Sequence, residues 1–206
     1  MFMEFYRDEK GNLTKLAQHN VDTGMGLERM CKVMQNKVSV YETDLFTPML
    51  NLLAKTTGLS YAEHQRRFRI VADHIRTAFM LINDGLTPSN VGAGYVLRMI
   101  IRRAYYNLYL LKKIDRGELE RFIADAFKAF EGLRDFDQQR ISKVLLAEIS
   151  QFEKTIANGA KILTESIDKL HTEGKKVLEG SQIFMLYDTY GFPLEITKEI
   201  TQEKGI

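Results

Sequence analysis

Residues 73–104 constrain the fold more than any other stretch, because two apolar helical stripes flank a short polar loop there. Apolar side chains recur every three or four positions on both sides of the loop, which is typical of amphipathic helices that pack by one face. These positions are Ile75, Ala78, Phe79 and Ile82 before the loop, and Leu97, Ile100, Ile101 and Ala104 after it. Gly85 follows Asn83 and Asp84, which gives a stop signal for the first helix. We therefore expect a helix–loop–helix unit at the centre of the fold.

The loop between the two stripes, LTPSNVGAG, is short and polar. Pro88 stiffens its backbone, and Gly92 and Gly94 permit unusual dihedral angles or the close approach of another group. Arg98 and Arg102 follow at i,i+4 on a face away from the apolar stripe. Two packed helices would thus present a polar loop beside arginines, an arrangement suited to a phosphate-rich partner.

Basic residues concentrate in and around this unit. The segment 66–113 contains nine Lys or Arg and two acids, a net charge of +7, whereas the whole chain carries +2. A basic segment in a nearly neutral chain indicates an anion or nucleic-acid interface. A solvated helix surface without a partner is the alternative, and charge alone does not separate the two.

Length and composition indicate an ordinary globular protein. The 206 residues can bury a sizeable core, and 45% hydrophobic with 27% charged residues is usual for that class. The single cysteine, Cys31, cannot form an internal disulfide. No run of 18 apolar residues occurs, and the first ten residues are too charged for a signal peptide. We expect a soluble, cytoplasmic protein with no membrane partner.

The start of the chain favours strands and the remainder favours helices. Residues 1–8 alternate apolar and polar side chains, and a second extended piece ends at Asp22. Two strands are marginal alone in water, so they either lean on the helices or belong to a larger sheet. Helices are expected at 24–36, from Thr43 or Asp44 to Gly58, at 61–83, 118–131 and 136–171, from Ser181 to Tyr190 and from Pro193 to Gly205. The expected fold class is α+β, predominantly α, with short antiparallel strands followed by a helical bundle.

The string VDTGMGLER joins the second predicted strand to the first helix. Gly24 and Gly26 would let a ligand approach the backbone, Asp22 could hold an ammonium group, and Arg29 could meet a polyphosphate. An ordinary strand-to-helix turn is the alternative, because two glycines near an arginine are a weak signal by themselves.

The longer string GMGLERM after VDTG resembles motif 3 of class II aminoacyl-tRNA synthetases, in the form found in alanyl-tRNA synthetases. Further segments are similar to that family in its order and at its spacing, and together they cover nearly all of the chain. They are YETDLF (41–46), IVADHIRTAFMLINDG (70–85), PSNVGAGYVLRMIIRRA (88–104) and LYDTYGFPLEIT (186–197). The chain thus looks like a piece of this family, from the last strands of the aminoacylation domain through the helical tRNA-recognition region.

The resemblance implies a parent enzyme that activates alanine with ATP and Mg²⁺ and transfers it to tRNA. It implies that Asp22 binds the α-ammonium group of alanine. It also implies that Gly24 forms part of the pocket wall that limits the substrate side chain to a methyl group. It places ATP contacts on Gly26 and Arg29. Motif 1 and the motif 2 arginine do not occur in these 206 residues, so we expect no catalytic residue and no activity from this chain alone. The chain would be an expressed fragment or a natural truncation.

The resemblance also implies that the chain reads a G·U wobble pair in the acceptor stem of tRNA(Ala). The family reads this pair in the minor groove with an asparagine and an aspartate, which fall on Asn90 and Asp188. Guanine displays its N2 amino donor in the shallow minor groove of A-form RNA, so an amide oxygen and a carboxylate are suitable acceptors. Without the resemblance, Asn90 reads as a turn residue and Asp188 as a surface or capping acid.

Three arginines beside the loop are expected to hold the RNA backbone, which sets register without reading sequence. They are Arg98, Arg102 and Arg103. The family usually has an acid and an arginine where this chain has Val91 and Ala93, and a further arginine where it has Met99. Because three charged side chains are absent, we expect this chain to bind the acceptor stem more weakly or in a shifted position.

The sequence divides into two expected domains: 1–37, the end of the aminoacylation domain with motif 3, and 38–206, the helical tRNA-recognition domain. The four histidines show no metal spacing, so we expect no zinc site, and no oligomerisation segment is recognised. Asp73 and His74 are consecutive on a helix, about 100° apart, so we expect them not to face one another. Two alternatives stay open: a non-catalytic RNA-binding module, and a helical interaction protein on the same scaffold.

Overall fold

The computed structural model describes residues 2–21 and 24–206 and has the expected α+β, mostly α, architecture. Two strands precede eight α-helices and a short 3-10 helix, Val40–Glu42, in this described part. The elements are β1 Phe2–Arg7, β2 Leu13–Val21, α1 Leu27–Met34, α2 Thr47–Thr57, α3 Gln65–Asn83, α4 Gly92–Leu111, α5 Arg116–Ala129, α6 Gln138–Thr172, α7 Gly180–Asp188 and α8 Leu194–Glu203.

The helix–loop–helix unit is α3 and α4, and it lies at the centre of a helical core as expected. The apolar stripes of both helices are buried; α6 packs against both, and Phe127 of α5 packs against Phe79 of α3. Aromatic rings fill much of this core: Phe68, Phe79, Phe122, Phe130 and Phe152 are at most 2% exposed. Because α4 packs on both α3 and α6, its side chains are held from two sides.

The strands form an antiparallel hairpin that adds nothing to this core. Phe5 pairs with Lys15 and Tyr6 with Thr14, and the register shifts between Met3 and Phe5. Every described side chain of the two strands is exposed or only half-buried. Of the two possibilities left open by the sequence, packing of the strands into the helical core is therefore wrong for the described residues.

A glycine predicted the end of α3 correctly, whereas the residues predicted to cap the start of α2 do not cap it. Gly85 has φ +99°, as its stop signal predicted. The start of α2 at Thr43 or Asp44 was a wrong expectation, because the Thr43 hydroxyl donates to the Val40 carbonyl at 2.6 Å and Asp44 accepts from Gln35 at 2.7 Å. Their side chains are satisfied before the helix begins at Thr47.

Further helix starts differ from expectation, and α1 begins at Leu27 and not at Gly24. Residues 61–64 form a turn, so α3 begins at Gln65 and not at Tyr61. Helix α7 begins at Gly180, so Ser181 is inside it and does not cap it. No helix within residues 2–21 and 24–206 combines the length and the apolarity needed to cross a membrane.

The turn between α7 and α8 packs closely on α6. Gly159 lies at the middle of α6, where a Cβ atom would come within 2.1 Å of the Phe192 ring. Phe192 is completely buried there. Since Phe192 lies in the turn between α7 and α8, this close approach fixes the end of α7 on the helical core.

Candidate nucleic-acid interface

The loop before α4 is folded tightly against the first turn of that helix. The Ser89 amide donates to the Gly94 carbonyl at 3.1 Å, and the Ser89 hydroxyl donates to the Val91 carbonyl at 2.8 Å. A Cβ atom at Gly94 would lie 2.6 Å from the Thr87 carbonyl oxygen, so only glycine allows this approach. Asn90 is consequently displayed, exposed, at the tip of a closed loop.

Asp188 is displayed in a similar way at the end of α7, where its side chain is exposed. The chain reverses directly after it, with Gly191 at φ +64°. The Phe192 amide then donates to the Leu186 carbonyl at 2.8 Å. Asp188 therefore lies at the start of a short turn, and buried Phe192 fixes the other end of that turn.

A hydrogen bond joins the segment of Asn90 to the segment of Asp188. The hydroxyl groups of Tyr95 and Tyr187 lie 3.0 Å apart, although these residues are 92 positions apart in sequence. Tyr95 is in the first turn of α4, just after the loop, and Tyr187 directly precedes Asp188. The structure thus brings together the two segments that the sequence analysis singled out.

Of the three expected backbone arginines, two are engaged inside the protein. The Arg102 Nε donates to Oε1 of Glu148 at 2.7 Å, and its guanidinium carbon lies 5.0 Å from the centre of the Phe152 ring. Arg98 lies between Asn90, whose Oδ1 accepts from its Nη1, and the same Glu148 oxygen, 3.4 Å from its Nε. The third arginine, Arg103, is exposed.

A basic cleft of about 470 Å³ opens between α3, α4 and α8. Arg66, Arg67, Arg103 and Lys198 contribute its cationic walls, and Tyr95 lines the end nearest the Asn90 loop. The described residues that line it include no Asp or Glu. We call this cavity the basic cleft; its walls can neutralise phosphates at several points.

A second concavity, of about 480 Å³, shares Arg66 and Arg103 with the basic cleft. Asp73 and His74 line its wall, and His74 Nδ1 lies 3.0 Å from Asp73 Oδ2. The expectation that these side chains do not face one another was wrong. Their Cα–Cβ bonds diverge, but both side chains bend along the helix surface far enough to meet.

The motif 3 segment contacts α3 through Glu28, which pairs with Arg76. Asp22 is outside the described residues; Gly24, Gly26 and Arg29 are described and exposed. A Cβ atom at Gly26 would lie 3.7 Å from the Arg29 side chain, so the arginine stem folds back over this glycine. The structure therefore leaves Arg29 accessible and shows Gly26 beneath it.

An ion pair ties this segment to the helical core. The Glu28 carboxylate accepts a hydrogen bond from Arg76 of α3, and the Arg76 guanidinium lies 4.3 Å from the centre of the Phe46 ring. The pKa of Glu28 lies below its ordinary value because its own backbone amide donates to the carboxylate and Arg76 stabilises the charge, while partial burial opposes the shift. Helix α1 is thus held to α3 through a charged contact.

Comparison with known proteins assigns the chain to a protein family. Residues 1–206 match the family model described as tRNA synthetases class II (A). The chain belongs to this family. Among curated relatives it is 40% identical over 212 residues to the alanine–tRNA ligase of Natranaerobius thermophilus, which covers 100% of the chain and 24% of that protein. It is 43% identical over 210 residues to that of Neisseria meningitidis serogroup C, covering 100% and 23%.

The alanine–tRNA ligase of Halalkalibacterium halodurans is 40% identical over 211 residues, again covering 100% of the chain and 24% of the relative. The chain therefore spans about a quarter of the length of these curated relatives. These similarities confirm the resemblance to the synthetase family that the motifs indicated. No group of three or more His, Cys, Asp or Glu in the described ranges could hold a metal ion.

Sequence reasoning missed several residues of this interface. Glu148 was detectable, because it is a single acid between the apolar positions Leu145, Ile149 and Phe152 of α6. Tyr95 and Tyr187 carried no such signal, since their partnership depends on how distant helices pack. The same is true of Lys198 in the basic cleft.

Proposed function

We propose that this chain is part of an alanine–tRNA ligase and reads the acceptor stem of tRNA(Ala). Asn90 and Asp188 contact the minor-groove edge of a G·U pair in this proposal. The observation that supports it is the 3.0 Å contact between Tyr95 and Tyr187, because that contact joins the two segments that contain Asn90 and Asp188. Both reader side chains are exposed, as base contacts require.

The polar groups of this pair match a wobble pair. The carboxylate of Asp188 accepts hydrogen bonds only, so it suits the guanine N2 amino group. The Asn90 carbonyl oxygen accepts from Arg98 but has a second lone pair, and its amino group can donate to the RNA. In this proposal the Asp188 carboxylate faces the groove as an acceptor, and the Asn90 amide faces it as a group that can both donate and accept.

The basic cleft would hold the RNA backbone next to the readers. Arg103, predicted from the sequence, lines it, together with Arg66 and Lys198 on the facing helices. Phosphate contacts here would set the register of the stem without reading its sequence. Tyr95 lines the basic cleft and also contacts Tyr187. The cleft could therefore bind the backbone of the same stem whose bases Asn90 and Asp188 read.

The remaining roles belong to the whole ligase and follow the resemblance. We propose that Asp22 and Gly24 contact alanine, that Gly26 and Arg29 contact ATP with its Mg²⁺, and that the domain boundary lies near residue 37. The exposed position of Arg29 and its closeness to Gly26 support the ATP assignment. A cytoplasmic location stays a prediction.

Binding of two acceptor-stem minihelices that differ only in a G·U or a G·C pair tests the reading function. We expect the chain to prefer the G·U minihelix, and Asn90→Ala or Asp188→Ala to reduce that preference about fivefold or more, because a good base contact contributes about 1–3 kcal/mol of discrimination. Dissociation constants are measured at one fixed salt concentration.

Asn51→Ala on α2 and Asp168→Ala on α6, both at exposed positions, are matched controls and should leave the preference unchanged. Equal affinity of the unmodified chain for the two minihelices would contradict the proposal. An unchanged preference in both reader variants would contradict the residue assignment.

A further inference from the structure

We propose that Glu148 of α6 is a positioning residue for base reading, acting through Arg98 on Asn90 and through Arg102 on the turn that follows Asp188. This inference rests on the proposed function. It gives Arg98 a different role from the phosphate contact expected from the sequence, because its guanidinium is directed at two side chains of the protein.

The first step is the burial of Glu148 between two guanidinium groups. The Glu148 side chain is 8% exposed and that of Arg102 is 10% exposed, and the Nε–Oε1 distance of 2.7 Å is that of a strong charge-assisted hydrogen bond. A buried charge without a partner is strongly unfavourable, so each group keeps the other in place. Glu148 therefore fixes the part of α4 that follows the loop of residues 86–91, which we call the reading loop.

The second step leads from Glu148 to Asn90. The Arg98 Nε is completely shielded from solvent, 3.4 Å from Glu148 Oε1, and makes no hydrogen bond of good alignment there. The opposite end of the same guanidinium donates to Asn90 Oδ1. Arg98 thus spans the space between a buried carboxylate and an exposed amide, and it sets which edge of the Asn90 amide faces the RNA.

The third step leads to the other reader. Nη1 of Arg102 lies 3.3 Å from the position that a Cβ atom would take on Gly191, three residues after Asp188. Its guanidinium also lies over Phe152 of α6. The Glu148–Arg102 pair therefore packs against the turn that follows Asp188. The Glu148 carboxylate thus supports Asn90 through Arg98 and Asp188 through Arg102.

A positioning residue and a phosphate contact differ in two measurable ways. Loss of a phosphate contact weakens binding of all stems equally and lowers the slope of log K against log salt by about 0.7–0.9. Loss of a positioning residue lowers the preference for the correct pair and leaves the salt slope unchanged.

The test uses Arg98→Met, which keeps the apolar stem and leaves Glu148 paired with Arg102. We expect its G·U over G·C preference to fall about fivefold or more, as for a lost base contact, with an unchanged salt slope. Arg103→Met, at an exposed arginine of the basic cleft, is the contrast: it should weaken both minihelices equally and reduce the slope. In the Asn90→Ala background, Arg98→Met should cause no further loss of preference.

Glu148→Gln tests the carboxylate that pairs with both arginines, with Glu165→Gln at an exposed position of α6 as its control. We expect only Glu148→Gln to lower the preference; if it does not fold, Arg98→Met decides. The proposal is overturned if Arg98→Met weakens both stems equally with a smaller slope. If the unmodified chain shows no preference, the proposed function fails. If Asn90→Ala lowers the preference and Arg98→Met does not, only the positioning role fails.

Discussion

At the scale of single residues, Gly94 determines whether the reading loop can close. The loop backbone at Thr87 and the Ser89 side chain occupy the space that a Cβ atom at Gly94 would need, at 2.6 Å and 2.3 Å. Backbone atoms cannot rotate away as a flexible side chain can. Asn90 lies at the exposed tip of this closed loop, so its position depends on Gly94, four places later.

Gly94→Ala should therefore destabilise the fold and impair reading together. We expect a loss of about 1–3 kcal/mol in the free energy of unfolding, the usual range for inserting a methyl group into a packed site. Urea unfolding measures this change, and minihelix binding should show a reduced preference for G·U. Gly180→Ala is the matched control because a Cβ atom there meets nothing within 4 Å. Unchanged stability of Gly94→Ala would show that the loop is not closed as described.

At the scale of elements, α1 is held to α3 by a charged contact and not by a buried apolar face. No described residue of α1 is buried, and several of its apolar side chains are more than half exposed. The Glu28–Arg76 pair, supported by the Phe46 ring under the guanidinium, is the side-chain link that the structure shows. The attachment of α1 should therefore depend on pH.

The sign of this dependence follows from the lowered pKa of Glu28. A carboxyl group whose pKa is lower in the folded state stabilises that state at neutral pH, and the stabilisation is lost as pH falls below its ordinary value of 4.5. We expect Glu28→Gln to reduce the free energy of unfolding at pH 7 by about 0.2–1 kcal/mol, since the pair is partly exposed. The difference between variant and unmodified chain should shrink as pH falls below 4.5 and through the lowered pKa of Glu28.

Urea unfolding at a series of pH values measures this, with Glu63→Gln, an exposed acid ahead of α3, as the control. A constant difference between Glu28→Gln and the unmodified chain from pH 7 to pH 3 would contradict the role given to the Glu28 charge.

Most elements could be predicted from the sequence, but their starts could not. Periodicity located the amphipathic helices because one buried stripe repeats every three to four residues. Thr43 and Asp44 were misleading as helix caps because their side chains bond to Val40 and Gln35 instead. A side chain that can cap a helix can equally satisfy a neighbouring turn, and local sequence does not say which.

At the scale of the whole molecule, the interface depends on contacts that no local pattern reveals. The resemblance named Asn90 and Asp188 without showing what holds them together. The Tyr95–Tyr187 contact supplies that connection across 92 positions. Similarly, the cluster of arginines in the sequence indicated a basic surface, yet Arg102 is 9% exposed and pairs with Glu148 in the interior. Tertiary packing decides which cations reach solvent.

The central claim is that this surface reads the minor-groove edge of a G·U pair through an acceptor at Asp188. Replacing the guanine by inosine tests it most directly, because inosine pairs with uracil but lacks the N2 amino group. We predict that the unmodified chain binds the G·U minihelix about fivefold or more tightly than the inosine·U minihelix, and that Asp188→Ala binds both equally. Equal binding of both by the unmodified chain, or a preference that persists in Asp188→Ala, would contradict the account.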